Sequence, residues 1–162
     1  MKTNETKQIE EILWQSCFAP NNPSLMKEYG CEEVTIGFQR NHKGHERVDF
    51  LSYDARNDIF RCYEIKVSMS DFNSDAKLSW CGQYNYLVLS KELYAEKSLE
   101  WWKERILKEV GIIVADTKNM EKKAVKKALR VDISSDEKDM LKDSLIRSLA
   151  MRRIKRWGKT AS

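Results

Sequence analysis

The sequence lacks long apolar runs and paired cysteines, and both absences narrow what the protein can be. No stretch approaches the roughly 18 to 20 apolar residues that a membrane helix needs. The N-terminal segment MKTNETKQIEEILWQ is polar and charged, without the apolar core of a secretory signal. The four cysteines are spread singly, which favours free thiols over disulfides or a zinc site. We therefore expect a cytoplasmic protein with no membrane partner.

Internal repeats, low-complexity tracts and long linkers are also absent, so the 162 residues are expected to form a single domain. The net charge is only +4, but basic residues are concentrated in two segments, residues 118–130 and 147–159. Such segments are compatible with a polyanion partner, and a solvated surface is the commoner explanation.

The spacing of apolar residues predicts an α/β fold with a mixed central sheet. Helical spacing predicts an amphipathic helix over residues 5–18. Short β-rich runs predict strands at residues 32–38, 47–54, 59–68, 84–90 and 111–117. A short helix is expected after Ser70, and a longer one over residues 91–110.

The last third of the chain is expected to add an edge strand or loop over residues 124–133 and a C-terminal amphipathic helix. The helix would begin at a capping box formed by Ser134 and Glu137. The core would span about residues 5–117, and the basic segment and the helix about residues 118–158. One apolar stripe of the helix would comprise Met140, Leu141, Leu145, Leu149 and Ile154.

Three charged residues interrupt two predicted strands that are otherwise apolar: Asp49 in RVDFLSYD, and Glu64 and Lys66 in CYEIKVS. A buried charge is costly unless it has a partner. Glu64 and Lys66 share a face because the side chains of a strand alternate. In the preceding strand, Val48 and Phe50 are expected to share one face and Asp49 to point to the other. A hairpin would bring Asp49 beside Glu64 and Lys66. Two carboxylates near one ammonium suit a hard cation such as Mg²⁺.

An acid-x-lysine triplet alone carries little information, because the chain contains others, such as Asp116 with Lys118. The alternative for Glu64 and Lys66 is an ion pair on a solvated sheet face, worth about 0.2 to 1 kcal/mol. The apolar strand, the aspartate in the preceding strand and the helix start that follows favour a functional site.

The sequence RVDFLSYD…YEIKVSMSDFNSDAKLSW…YNYLVLS…GIIVAD resembles the PD-(D/E)XK nuclease-like superfamily, specifically the MmcB-type DNA-repair branch and its phage-borne relatives. The resemblance covers roughly residues 33–116, in order and without large gaps. It implies a restriction-endonuclease-like core, DNA as the partner, and Mg²⁺ as the cofactor with Mn²⁺ as a substitute. It also implies a bacterial or phage-encoded protein.

The resemblance also implies a role for individual residues. Asp49 and Glu64 would bind the metal together with the backbone carbonyl of Ile65. Lys66 would position and help deprotonate the attacking water, or stabilise charge on the scissile phosphate. Val48 stands where the motif has proline. Many members add an acid from the first helix or strand, for which the candidates are Glu10, Glu11 and Glu33.

Further cleft or DNA contacts are expected from the segment after the second strand and from the basic segment. The resemblance places Ser68, Asp71, Asp75 and Lys77 around the cleft, and Trp80 and Tyr84 are candidates for stacking on bases. Structural roles in capping, packing or solvation are the alternatives. The basic residues Lys122, Lys123, Lys126 and Lys127 are expected to leave the sheet near one cleft edge and to guide the phosphate backbone.

The sequence thus leads to three hypotheses. The first is a Mg²⁺-dependent DNA nuclease in repair, recombination or phage DNA metabolism. The second is a DNA-binding protein of the same fold with negligible hydrolysis. The third is an interaction module that docks on a protein partner, or on a second copy, through an apolar stripe at Leu141, Leu145 and Leu149.

Overall fold

The computed structural model describes residues 2–38, 44–74 and 78–160. Its helices are α1 (Asn4–Gln15), α2 (Met69–Phe72), α3 (Lys91–Ala95), α4 (Leu99–Lys103) and α5 (Ser135–Thr160). Its strands are β1 (Phe18–Ala19), β2 (Asn22–Met26), β3 (Tyr29–Phe38), β4 (Gly44–Asp54), β5 (Ile59–Lys66), β6 (Tyr84–Ser90), β7 (Gly111–Asp116) and β8 (Glu121–Lys126). Within the described residues, no helix is long and apolar enough to cross a membrane.

Six strands form one mixed sheet in the order β3-β4-β5-β6-β7-β8. The pairs β3–β4, β4–β5 and β7–β8 are antiparallel, whereas β5–β6 and β6–β7 are parallel. Helix α2 lies in the first parallel crossover, and α3 and α4 lie in the second. The expected α/β fold with a mixed central sheet and a C-terminal helix is therefore confirmed. The small β1–β2 hairpin was not predicted.

Apolar side chains cover both faces of the sheet. On one face, Ile9, Ile12 and Leu13 of α1 pack against Tyr63 and Ile65 of β5. Because neighbouring strand residues point to opposite faces, Cys62 of β5 belongs to the other face, under α5. A third cluster surrounds the buried Trp102 of α4 and extends the core over β6 and β7. The central strands are thus buried on both sides.

The helix expected over residues 91–110 is two short helices instead. Ser90 caps α3, since its hydroxyl accepts a hydrogen bond from the Leu93 amide. The hydroxyl of Ser98 does the same for the Trp101 amide at 3.2 Å and starts α4. Because Trp102 donates its indole N–H to the Tyr94 carbonyl, the break also fixes the buried indole. Local capping by serine thus outweighed the helical spacing.

The basic segment does not leave the sheet, so that expectation was wrong. Lys122 pairs with Ala115 and Lys123 with Val114, which makes β8 an edge strand that starts earlier than predicted. The turn before it is formed by Asp116, whose carboxylate accepts hydrogen bonds from the amides at 118 and 119. This turn returns the chain antiparallel to β7, so the backbone groups of the basic segment form hydrogen bonds with that strand.

Helix α5 begins as the capping box predicted, because the Glu137 amide donates to the Ser134 hydroxyl at 3.1 Å. Leu141 and Leu145 are buried under the sheet, next to β3. The rest of the predicted apolar stripe, Met140, Leu149 and Ile154, is exposed. The predicted stripe therefore holds only for Leu141 and Leu145, and these are covered by the protein's own sheet.

Replacing Leu141 with alanine should lower the free energy of unfolding by about 2 to 5 kcal/mol, because the side chain is 1% exposed and its removal leaves a cavity. Ile146→Ala on the same helix is the matched control. Its side chain is 66% exposed, and we expect a change within about 0.5 kcal/mol. Urea unfolding of both variants measures the difference, and equal losses would contradict the docking of α5.

Candidate functional site

The site lies where β4 separates from β5. Their backbone pairing ends at Phe50 and Tyr63. Beyond that point the Oδ2 atom of Asp49 accepts a hydrogen bond of 2.7 Å from the backbone N–H of Ile65. A side chain thus stands where a strand partner would otherwise be. Asp49 is thereby held against the strand that carries Glu64 and Lys66.

The alternation of β4 is irregular at this position. Val48 packs in the cluster under α5, whereas Phe50 packs in the cluster under α1, so the two do not share a face as predicted. The partner strand is irregular at the same level, because Glu33 has a φ of 53° and lies between the paired residues Glu32 and Val34. Asp49 still interacts with Glu64, because it lies on the face opposite Phe50 and Tyr63, and the break in alternation affects Val48.

Glu64 is a buried carboxyl group beside a second one. Its exposure is 6%, and the Ser79 amide donates to its Oε1 at 3.3 Å. Burial, followed by the charge of Asp49 and a hydrogen bond with that side chain, raises the pKa of Glu64 to about 9. Without a cation, the pair therefore retains a proton at neutral pH. A divalent ion would reverse this preference, because its charge favours both carboxylates.

Lys66 lies at the edge of the same site and is only 7% exposed. Its Nζ is 3.3 Å from Oδ1 of Asp71, which belongs to α2. The Asp71 amide in turn donates to the hydroxyl of Ser68, the N-cap of that helix. Ser68 and Asp71 thus line the site as expected, and they also cap α2 and provide a partner for the buried ammonium.

These groups open into a cleft of about 530 Å³ that also contains residues of α1 and β3. Of the three candidate upstream acids, Glu10 and Glu33 line the cleft. Glu11 lines a neighbouring pocket instead. The structure therefore separates candidates that the sequence left equal, because successive residues of a helix point about 100° apart. Glu10 is buried and Glu11 is exposed.

Two cations of the cleft, Lys2 and Arg47, were not identified from the sequence. The Lys2 Nζ lies 3.0 and 2.7 Å from the two carboxylate oxygens of Glu10 and 2.8 Å from Oε1 of Glu33. Arg47 contacts the same Glu33 oxygen at 3.1 Å. Burial raises the pKa of Glu10, although Lys2 opposes this shift. No motif spacing links a residue at the start of the chain to β3, so the sequence contained no signal for this contact.

The described residues that line the cleft leave two carboxylates in excess. Glu10 and Glu33 are paired with Lys2 and Arg47, and Lys66 is paired with Asp71. The remaining pair is the one formed by Asp49 and Glu64. Within the lining, the carboxylates are Glu10, Glu33, Asp49, Glu64 and Asp71, and the cations are Lys2, Arg47 and Lys66.

The remaining predicted contacts lie elsewhere or outside the described residues. Trp80 packs against the cluster around Trp102, and Tyr84 lies under the guanidinium of Arg61. Asp75 and Lys77 fall outside the described part of the chain.

The lysines of the basic segment lie away from the cleft. Lys122 and Lys123 are exposed on β8, three strand spacings or about 14 Å from β5. Lys126 donates to the backbone carbonyls of Lys108 and Val110. Neither these three lysines nor the exposed Lys127, which follows β8, line the cleft, so any contact with DNA would be made along a second surface.

The donor set fits Mg²⁺ in a limited way. Within residues 2–38, 44–74 and 78–160, no group of three or more His, Cys, Asp or Glu side chains gathers into a metal site. Mg²⁺ retains most of its waters and needs only one or two carboxylates. The pair formed by Asp49 and Glu64 meets that need. Ile65 lines the cleft with its backbone, because its side chain is in the core under α1.

The fold is similar to that of a protein of unknown function from Silicibacter pomeroyi, with a TM-score of 0.58. The two chains share 20% sequence identity, and the match covers 84% of this chain and 83% of the other. At this identity the similarity shows the fold alone. No protein-family model matches the chain, and no curated protein matches it significantly.

Without divalent cations, the free energy of unfolding should fall as the pH rises from about 4.5 towards about 9. In this range the unfolded chain releases the Glu64 proton while the folded protein retains it. Glu64→Gln should remove this fall, and Glu121→Gln on the exposed face of β8 should not. Urea unfolding across this pH range measures the slopes, and parallel curves for wild type and Glu64→Gln would contradict the raised pKa.

Proposed function

We propose that this chain is a Mg²⁺-dependent nuclease of the PD-(D/E)XK type that hydrolyses phosphodiester bonds in DNA. The observation that carries the proposal is the meeting of Asp49 and Glu64 beside the buried Lys66 in one open cleft. Burying two carboxyl groups side by side carries a desolvation penalty, which a bound cation would offset. With the resemblance described above, this favours a role in repair, recombination or phage DNA metabolism, in the cytoplasm.

Each residue of the site has a distinct task in this proposal. Asp49, Glu64 and the backbone carbonyl of Ile65 would hold Mg²⁺, with Mn²⁺ as a substitute, and the cation would neutralise charge that develops on the phosphoryl oxygens. Ile65 also holds Asp49 in place through its N–H. Lys66 would orient and help deprotonate the attacking water or stabilise the phosphate. Its pairing with Asp71 keeps the ammonium at the cleft edge.

A DNA-binding protein with negligible hydrolysis is the second candidate. The observation that favours it is that Glu10 and Glu33 both form salt bridges with Lys2. Neither acid is then available as a third metal ligand. The interaction-module hypothesis receives no support from Leu141 and Leu145, which are buried within the chain, whereas Leu149 of the same stripe is exposed.

Purified protein should cleave DNA with Mg²⁺ or Mn²⁺ and should lose this activity in a chelator. Lys66→Ala should reduce cleavage by about 10²-fold or more, since it removes the group that acts on the water or phosphate. Glu64→Gln should abolish it, because one metal ligand is lost. Single-stranded, duplex, flap and gapped substrates should all be assayed, because the cleft does not indicate which form is bound.

Glu121→Gln is the matched control for Glu64→Gln, since it changes an acid of another acid-x-lysine triplet on an exposed strand. It should cleave like wild type. Equal cleavage by wild type, Glu64→Gln and Lys66→Ala would assign the activity to a contaminant or another site. DNA binding without cleavage by folded wild type, under every metal condition, would favour the second candidate.

The lysines of β8 and the adjacent Lys127 permit a separate test of DNA contact. Each phosphate neutralised on duplex DNA contributes about −0.9 to the slope of log affinity against log salt. Replacing Lys122, Lys123 and Lys127 with alanine should flatten the slope by up to about 2.7 if all three contact phosphates. Lys126 is left intact because it binds two backbone carbonyls. Parallel salt titrations for both proteins would remove β8 from the DNA-binding surface.

A further inference from the structure

Lys2 joins two carboxylates that come from different walls of the cleft. Its ammonium contacts three carboxylate oxygens, two from Glu10 of α1 and one from Glu33 of β3. The Glu10 side chain is only 10% exposed. Oxygen ligands from two different elements around one positive charge are also what a divalent ion would use in a cleft of this kind.

The position of this contact matters, because Glu10 and Glu33 line the same cleft as Asp49 and Glu64. Among the described residues, the cleft thus contains two carboxylate pairs: Glu10 and Glu33 form salt bridges with Lys2 and Arg47, and Asp49 and Glu64 form none. The two charges that remain in excess equal those of a single divalent ion. A second divalent ion beside Lys2 would leave the cleft with an excess of positive charge.

We propose that Lys2 takes the place of a second metal ion, so that the cleft binds one divalent cation, at Asp49 and Glu64. This inference rests on the proposed function for the identity of the first site. Lys2 is then a positioning residue: its ammonium holds the carboxylates of α1 and β3 together and keeps them from binding metal.

The number of metal ions per chain tests the inference directly. Mn²⁺ is titrated into the full-length protein, and free Mn²⁺ is followed by electron paramagnetic resonance. Wild type should bind one ion, and Lys2→Met should bind two, because Glu10 then lacks its cation and Glu33 retains only the exposed Arg47. Lys2→Arg should keep one ion. The matched control Lys7→Met, which changes an exposed lysine of the neighbouring pocket, should also bind one.

The double variant Lys2→Met, Glu10→Gln locates the additional ion, since removal of this ligand should return the number to one. Lys2→Met leaves a buried carboxylate without its cation, so thermal unfolding is measured with and without Mn²⁺. We expect Mn²⁺ to raise the Tm of Lys2→Met more than that of wild type. An equal rise contradicts the inference.

The remaining outcomes separate the inference from the proposed function. Two ions in wild type, or one ion in Lys2→Met, overturns the role of Lys2 and leaves the site at Asp49 and Glu64 intact. No ion in wild type with one ion in Lys2→Met overturns the proposed metal site and retains the role of Lys2. No binding by either protein overturns both.

Discussion

Glu64 places a carboxyl group almost entirely out of water and beside the carboxylate of Asp49, and much of the surrounding structure accommodates this arrangement. Burial and like charge both favour the protonated form, which is why the pKa of Glu64 rises to about 9. The Ile65 amide donates a hydrogen bond to Asp49, and the Ser79 amide donates one to Glu64. An apolar pair of similar volume would be at least as stable. This cost is the reason for proposing a cation between the two side chains.

The fold creates room for this pair by ending the β4–β5 pairing early. If the strands had continued in register, the N–H of Ile65 would have bonded to backbone and Asp49 would have pointed to one face of the sheet. Instead the strands separate, α1 closes one side and α2 closes the other. Lys66 and Asp71 join α2 to this opening, and Lys2 joins α1 to β3. The ion pairs that neutralise the cleft also hold its walls.

Several elements could be predicted from the sequence because their signals are local. Strand β6 was predicted to the residue, and the cap at Ser134 was confirmed. The split between α3 and α4 was missed, although Ser98 was visible as a capping residue, because helical spacing ran through it. Strand β8 was placed too late, since a lysine-rich edge strand has no apolar alternation to mark its start.

The sequence by itself determined that charged residues lie in two apolar strands, and hence that Asp49, Glu64 and Lys66 belong together. It did so because burial penalises unpartnered charge wherever it occurs along the chain. Only the tertiary structure decided which upstream acid enters the cleft and that Lys2 neutralises it. It also decided that Leu141 and Leu145 face the protein's own sheet. These contacts join elements far apart in sequence, and their geometry depends on how the helices pack on the sheet, which no local pattern records.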